Sequence, residues 1–105
     1  MKENEKYYDE VIAPKLLEVS RLLSAKGMSF VAQVEYDFGE TGRIEYLDSG
    51  ASTKQKTVHW AARSNGNVDA LFMAIERSSR IAGHSSIYLT QLGIPYTPPN
   101  PEVTP

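Results

Sequence analysis

At Gly27 the spacing of apolar side chains changes, and that change confines the chain to folds that combine helix with sheet. From Glu5 to Lys26 the residues Tyr8, Val11, Ile12, Leu16, Val19, Leu22 and Leu23 recur at three- and four-residue steps. That period belongs to a helix with one apolar face, and Gly27 supplies its C-terminal stop. From Ser29 the stretch SFVAQVEYDF alternates instead, with Phe30, Ala32, Val34, Tyr36 and Phe38 pointing one way and Gln33, Glu35 and Asp37 the other. A period of two buries one face of a strand and cannot serve a helix. Pro14 stands inside the helical segment, where it lacks an amide donor and crowds the preceding turn, so a kink or break is expected near Ala13.

After the alternating stretch, GETG provides turn residues and RIEYL resumes with Ile44 and Tyr46 on the same side as the first strand's aromatics, which predicts a hairpin. Residues 52–64, STKQKTVHWAARS, read two ways. As a strand, Val58, Trp60 and Ala62 share a face and extend the hairpin to a three-stranded meander. As a helix, Ser52 and Gln55 match a capping box and Asn65-Gly66 an exit, but Trp60 leaves the apolar stripe. Asn67 then caps a second amphipathic helix along Val68, Leu71, Phe72, Ile75, Ser79 and Ala82 as far as Gly83, with Asp69 suited to its first turn. SSIYLTQLGIP reads as a short helix capped by Ser85 and closed by Gly93, with Ile94 folding back, in preference to a strand. The expected architecture is α+β: two amphipathic helices on a small antiparallel sheet, then a short C-terminal helix. A single domain covers residues 1–95, and a Pro-rich tail, extended or mobile, covers 96–105, with Tyr96 pinning its start.

Length and composition exclude more than they assign. A chain of 105 residues can bury a core without disulfides or a metal, and with no cysteine it has no thiol nucleophile and no Cys-based zinc site. The N-terminus MKENEKYYDE has no apolar leader core, and no run approaches the roughly 18 apolar residues a membrane helix needs. A soluble cytoplasmic protein that does not enter the membrane is expected.

Two constellations invite a chemical reading. His84, Ser85 and Ser86 sit together after the second helix. A working Ser/His pair, however, is usually assembled from distant parts of a chain, and Gly83 as a helix stop with a serine capping the next element explains the stretch without catalysis. His59 and His84 lack a second ligand at metal-binding spacing, and GETG lacks the Lys-Ser/Thr of a phosphate loop, so neither metal nor cofactor is implied. The carboxylates Glu35, Asp37, Glu40, Glu45 and Asp48 crowd the hairpin with Arg43 alone to offset them. Were Glu35 and Glu45 to face each other across the strands they would repel, which points to general acid/base chemistry or to a basic partner, set against the plainer reading of a solvated sheet face. Opposite in sign are Lys54, Lys56, Arg63, Arg77 and Arg80, set against Asp69 and Glu76. Such lopsided charge steers association with a charged partner.

Nucleic-acid binding through Lys54, Lys56, Arg63, Arg77 and Arg80 is the alternative that follows from this cluster. With residues 56–63 as a strand, the element order is that of a double-stranded-RNA-binding domain, but Asn67-Val68-Asp69 stands where that module carries lysines. With those residues as a helix, AARSNGNVDALFMAIERSSR is similar to a helix-turn-helix. The sequence pI of 5.6 does not favour either.

The block GNVDALFMAIERSSRIAGHSSIYLTQLGIP, residues 66–95, resembles a stretch in small uncharacterised proteins of phages and prophages, and GMSFVAQVEYDFGETGR, residues 27–43, resembles them similarly. No catalytic motif comes with that resemblance. It implies a compact accessory protein working in the host cytoplasm by binding a host or phage protein, a host-defence inhibitor such as an anti-CRISPR being one form. DNA mimicry demands far more negative charge than a net −2. The expected function is therefore non-enzymatic binding of a protein partner, through Glu35, Asp37, Glu45 and Asp48 or through Arg77 and Arg80. Homodimer formation is expected where a strand edge or Trp60 is left uncovered. A small enzyme using His84 is the third reading.

Overall fold

The computed structural model describes residues 2–98, which form an α+β fold of helices and a two-stranded antiparallel sheet. The chain divides into two compact units, the first closing at Arg63 and the second opening at Ser64.

The first unit begins with a helix that absorbs its proline without breaking. Helix α1 (Lys2–Tyr7) passes through a π-helical turn (Tyr8–Ile12) into α2 (Ala13–Ser24), and the residues flanking that turn keep right-handed helical dihedrals. Pro14 enters at the first turn of α2, where a missing amide costs least. Just before it, the Ala13 amide donates to the Tyr8 carbonyl, one residue further back than in an α-helix. The widened turn has a packing consequence. Tyr8 and Ser20 are both buried. An uninterrupted α-helix would set positions twelve apart about 120° out of line, and taking up one extra residue brings them within about 20°. The irregularity expected near Ala13 takes the form of this π-helical turn, and α2 begins at Ala13. Gly27, at φ +70°, closes α2 while the Met28 amide returns to the Leu23 carbonyl at 2.9 Å.

Strands β1 (Phe30–Asp37) and β2 (Glu40–Tyr46) pair antiparallel, with Phe30 opposite Tyr46, Ala32 opposite Ile44 and Val34 opposite Gly42. These residues form the face that meets the N-terminal helix. Tyr8 stacks on Tyr36 with ring centroids 5.5 Å apart and lies against Gly42, where a Cβ would overlap the Tyr8 ring. Only glycine fits there. The Tyr8 hydroxyl is buried and has no hydrogen-bond partner among the described residues.

Two expectations for the hairpin change. The turn is not GETG but the shorter Phe38-Gly39, because a bulge between Glu35 and Asp37 ends the regular alternation and Gly39 takes φ +77°. Phe38 therefore does not join the inward aromatics and stands 100% exposed. In addition, Glu35 faces Thr41 and Glu45 faces Val31, so the two glutamates do not oppose each other across the strands.

Residues 53–64 are helix α3 (Thr53–Ser64), which removes the three-stranded meander and with it the helix–three-strand–helix order. Its start is the cap read from the sequence, the Gln55 amide donating to the Ser52 hydroxyl at 3.4 Å, and it leaves through Asn65 and Gly66 at positive φ. Trp60 is half-buried rather than stranded in solvent.

The second unit contains α4 (Val68–Ala82) and α5 (Ile87–Gln91). Asn67 caps α4 by accepting from the Ala70 amide at 3.0 Å, as its position predicts. The cap of α5 is Ser86 and not Ser85, because it is the Ser86 hydroxyl that accepts from the Leu89 amide. Beyond Gly93 the Ile94 amide folds back to the Leu89 carbonyl at 3.0 Å, leaving Ile94 2% exposed. Of the tail expected over 96–105, residues 99–105 lie outside the described residues.

The close approach at Gly42 yields a direct test. Gly42→Ala is expected to lower unfolding stability by about 2–3 kcal/mol through overpacking against Tyr8, while Tyr8→Phe, which deletes a buried hydroxyl without a partner, raises it by up to about 1 kcal/mol. Urea midpoints of the two variants check both signs.

Candidate functional site

The tip of the hairpin is the most exposed apolar feature of the first unit and one of its most acidic. Its turn is held from two sides. The Glu35 carboxylate accepts from the Gly39 amide at 2.9 Å, and Asn4, from α1, donates to the Tyr36 carbonyl at 2.9 Å and to the Asp37 carboxylate at 3.3 Å. Phe38 thus projects from a backbone that is fastened rather than loose. Around Tyr36, just behind the tip, the carboxylates of Glu5 and Asp9 from the N-terminal helix join those of Asp37 and Glu40. The Tyr36 phenol is held above its ordinary range, first by burial and then by the charges of Glu5, Glu40, Asp9 and Asp37. Two elements therefore build one negative patch, and Phe38 stands at its end.

The other two carboxylates of the hairpin are turned to structural use. Glu45 pairs with Arg43, whose Nε lies 2.9 Å from Oε2, and its Oε1 meets His59 Nδ1 from α3. A second guanidinium nitrogen of Arg43 donates to the Ala62 carbonyl at 3.0 Å. With Glu45 and His59 largely withdrawn from solvent, this cluster fastens α3 to the face of β2 opposite Tyr8. Such part-buried, charge-assisted bonds are worth more than exposed pairs. Asp48 closes the exit from β2 in the same spirit. Its Oδ1 accepts from the Tyr46 hydroxyl at 2.9 Å and its Oδ2 from the Gly50 amide at 3.0 Å, while its own amide donates to Ser29 Oγ. The expected acidic group Glu35, Asp37, Glu45 and Asp48 is accordingly not one surface: the first two lie at the tip, and the last two clamp the strand.

His84 is occupied by backbone on both ring nitrogens. The Ser86 amide donates to Nδ1 at 3.0 Å, which fixes the proton on Nε2, and Nε2 donates to the Ile94 carbonyl at 2.8 Å. Its amide donates to the Tyr96 carbonyl at 3.0 Å, and its ring lies 5.3 Å from that of Tyr96. Gly83, at φ +84°, leaves room for that carbonyl, which a Cβ would approach to 2.7 Å. Neither Ser85 nor Ser86 offers its hydroxyl to the ring, because Ser86 caps α5 and Ser85 is exposed. His84 ties the ends of α4 and α5 together, and Tyr96 is pinned as expected.

The basic residues are divided between the units. Lys54, Lys56 and Arg63 lie on α3, and Arg77 and Arg80 on α4, where Arg80 pairs with Glu76 at 3.0 Å one helical turn away. Among the described residues no group of three His, Asp or Glu side chains converges as metal ligands, and no helix is long and apolar enough to cross a membrane. Phe38 is the residue that sequence reasoning places on the wrong side, since simple alternation runs one step past a bulge that leaves no sequence mark.

The Asp48 clamp predicts a pH dependence. Its carboxyl is held below the ordinary aspartate value, first by the Gly50 amide and then by the Tyr46 hydroxyl, and the same bond raises the Tyr46 phenol. A depressed folded value means stabilisation that is fully present above the unfolded value near 3.8 and drains away as pH falls through the folded one. Asp48→Asn is therefore expected to be less stable than the wild type at pH 7, with the gap closing below about pH 4. Denaturant midpoints across that range measure it. Comparison with protein-family models, curated proteins and solved structures finds no match to the chain, so the functional reading rests on this geometry.

Proposed function

We propose that this is a non-enzymatic protein that binds a protein partner through the hairpin tip, inserting Phe38 into an apolar pocket rimmed by lysine or arginine. One observation carries the reading: Phe38 is fully solvent-exposed on a two-residue turn fastened by Glu35 and Asn4. An aromatic side chain so placed adds nothing to folding. It offers a large contact area with few rotatable bonds to fix, the property that makes aromatics the anchors of interfaces. The carboxylates of Glu35, Asp37 and Glu40 beside it, with Glu5 and Asp9 behind, give the partner's sign, because a basic rim gains both steering and register from them. The resemblance to small phage and prophage proteins agrees with this class, and inhibition of a host-defence protein is the form of it that we propose.

Phe38→Ala is expected to leave the unfolding midpoint unchanged and to weaken partner capture from host lysate about 30-fold or more, the loss of a 2 kcal/mol anchor. Glu40→Lys slows association and flattens its salt dependence. Capture of the same proteins, in the same amounts, by wild type and Phe38→Ala overturns the proposal.

A further inference from the structure

We infer that Asn65 is a site of spontaneous covalent modification, at which the Gly66 amide nitrogen attacks the Asn65 side chain and converts it, through a cyclic imide, to aspartate and isoaspartate. The inference is independent of the hairpin tip. It starts from the dipeptide Asn65-Gly66, through which the chain leaves α3 at the point where the second unit opens. Both residues take positive φ, +52° and +83°, and the Asn67 amide donates to the Ser64 carbonyl at 2.9 Å across them. The result is a tight four-residue turn with Asn-Gly at its centre, the pair that accepts such dihedrals most readily.

Asparagine is one of the thermolabile residues, and its imide closes only where the attacking nitrogen is free of an acceptor, unshielded and able to swing onto Cγ. Asn65 and Gly66 are both exposed. Among the described residues neither the Gly66 amide nor the Asn65 side chain takes part in a hydrogen bond. A Cβ on Gly66 would meet nothing within 4 Å, so no neighbour crowds that nitrogen, and glycine itself adds no side chain to shield it. Rotation of the Asn65 backbone breaks only the Ser64–Asn67 bond, a restraint of about tenfold or less on the rate. The other asparagines fail the same requirements. Asn4 lies in α1 with its side-chain nitrogen on the Tyr36 carbonyl, and Asn67 accepts from the Ala70 amide and precedes the branched Val68. Asn100 precedes Pro101, whose nitrogen has no hydrogen to lose.

The bond from the Gly66 nitrogen to Cγ forms as the bond from Cγ to the side-chain nitrogen breaks, and the Gly66 amide proton leaves with ammonia. Water then opens the five-membered imide. Addition at the side-chain carbonyl gives aspartate, and addition at the main-chain carbonyl gives isoaspartate. Either product adds one negative charge to a chain of net charge −2. Isoaspartate also adds a carbon to the backbone inside the turn, which carries the Asn67 amide away from the Ser64 carbonyl.

The test holds the folded full chain in mildly alkaline buffer at body temperature for weeks and weighs the tryptic peptide 64–77 at intervals. Asn65 is expected to gain about one mass unit, or about three in water labelled with heavy oxygen, with isoaspartate the larger product. Its rate is expected to be at least about a tenth of that of the same peptide free in solution, since one hydrogen bond is all that restrains it. Asn65→Gln, whose ring would need six members, is expected to release ammonia from this peptide at least tenfold more slowly with an unchanged urea midpoint. A wild type that keeps Asn65 intact while the free peptide converts overturns the inference. So does aspartate without isoaspartate, and so does conversion at Asn67 as fast as at Asn65.

Discussion

Pro14 has no amide hydrogen, and the first unit is arranged around that gap. A helix carrying a proline in its interior would ordinarily break or bend, at a cost of about 3 kcal/mol. Here the turn before it widens, the Ala13 amide reaches back to Tyr8, and the helix runs on with its upstream half rotated by one position. Rotation is what matters. It sets Tyr8 in line with Ser20 and points it at Gly42, the one position of the paired strands with no side chain. The same rotation brings Asn4, one turn before Tyr8, to the Tyr36 carbonyl and the Asp37 carboxylate. A local defect in hydrogen bonding thus decides how the helix sits on the sheet.

The exposure of Phe38 follows from that seating. Because Asn4 holds the end of β1 and Glu35 holds the Gly39 amide, the turn has a fixed shape, and the bulge before it turns Phe38 away from the aromatic face. A fixed turn costs little further entropy on binding, whereas a loose one must be ordered at about 1–2 kcal/mol per residue. Burying a phenylalanine is worth up to about 3 kcal/mol. On a rigid tip most of that remains for a partner, and on a mobile loop it would be consumed by ordering the chain.

Much of the fold was legible because several devices are local. Asn67 before Val68, Gly27 after Lys26, and Gly93 followed by Ile94 act within one turn of their own position, and each appears where its chemistry places it. The choice between strand and helix for residues 53–64 was not local. Its Ser52 cap was visible, but what holds α3 comes from a strand distant in sequence: Arg43 donates to the Ala62 carbonyl and Glu45 meets His59. The candidate site was legible in composition and not in placement. Five carboxylates could be counted along the hairpin. Which of them met a donor depended on the register between strands and on the arrival of α3.

That sorting of carboxylates bears on how much charge the protein presents. Glu45 is set against Arg43 and His59, and Asp48 accepts two hydrogen bonds, so neither adds much to the field that an approaching molecule meets. Glu40, with Glu5, Asp9 and Asp37, surrounds Tyr36 near the end of the hairpin. A net charge of −2 over the whole chain therefore understates the local field. Within a Debye length of about 8 Å an approaching molecule responds to the nearest few charges and hardly at all to the sum. The acidic character that composition spreads along the hairpin is concentrated by the fold beside the exposed ring of Phe38, and it is there, rather than along the strand, that the proposed basic partner would meet the strongest field.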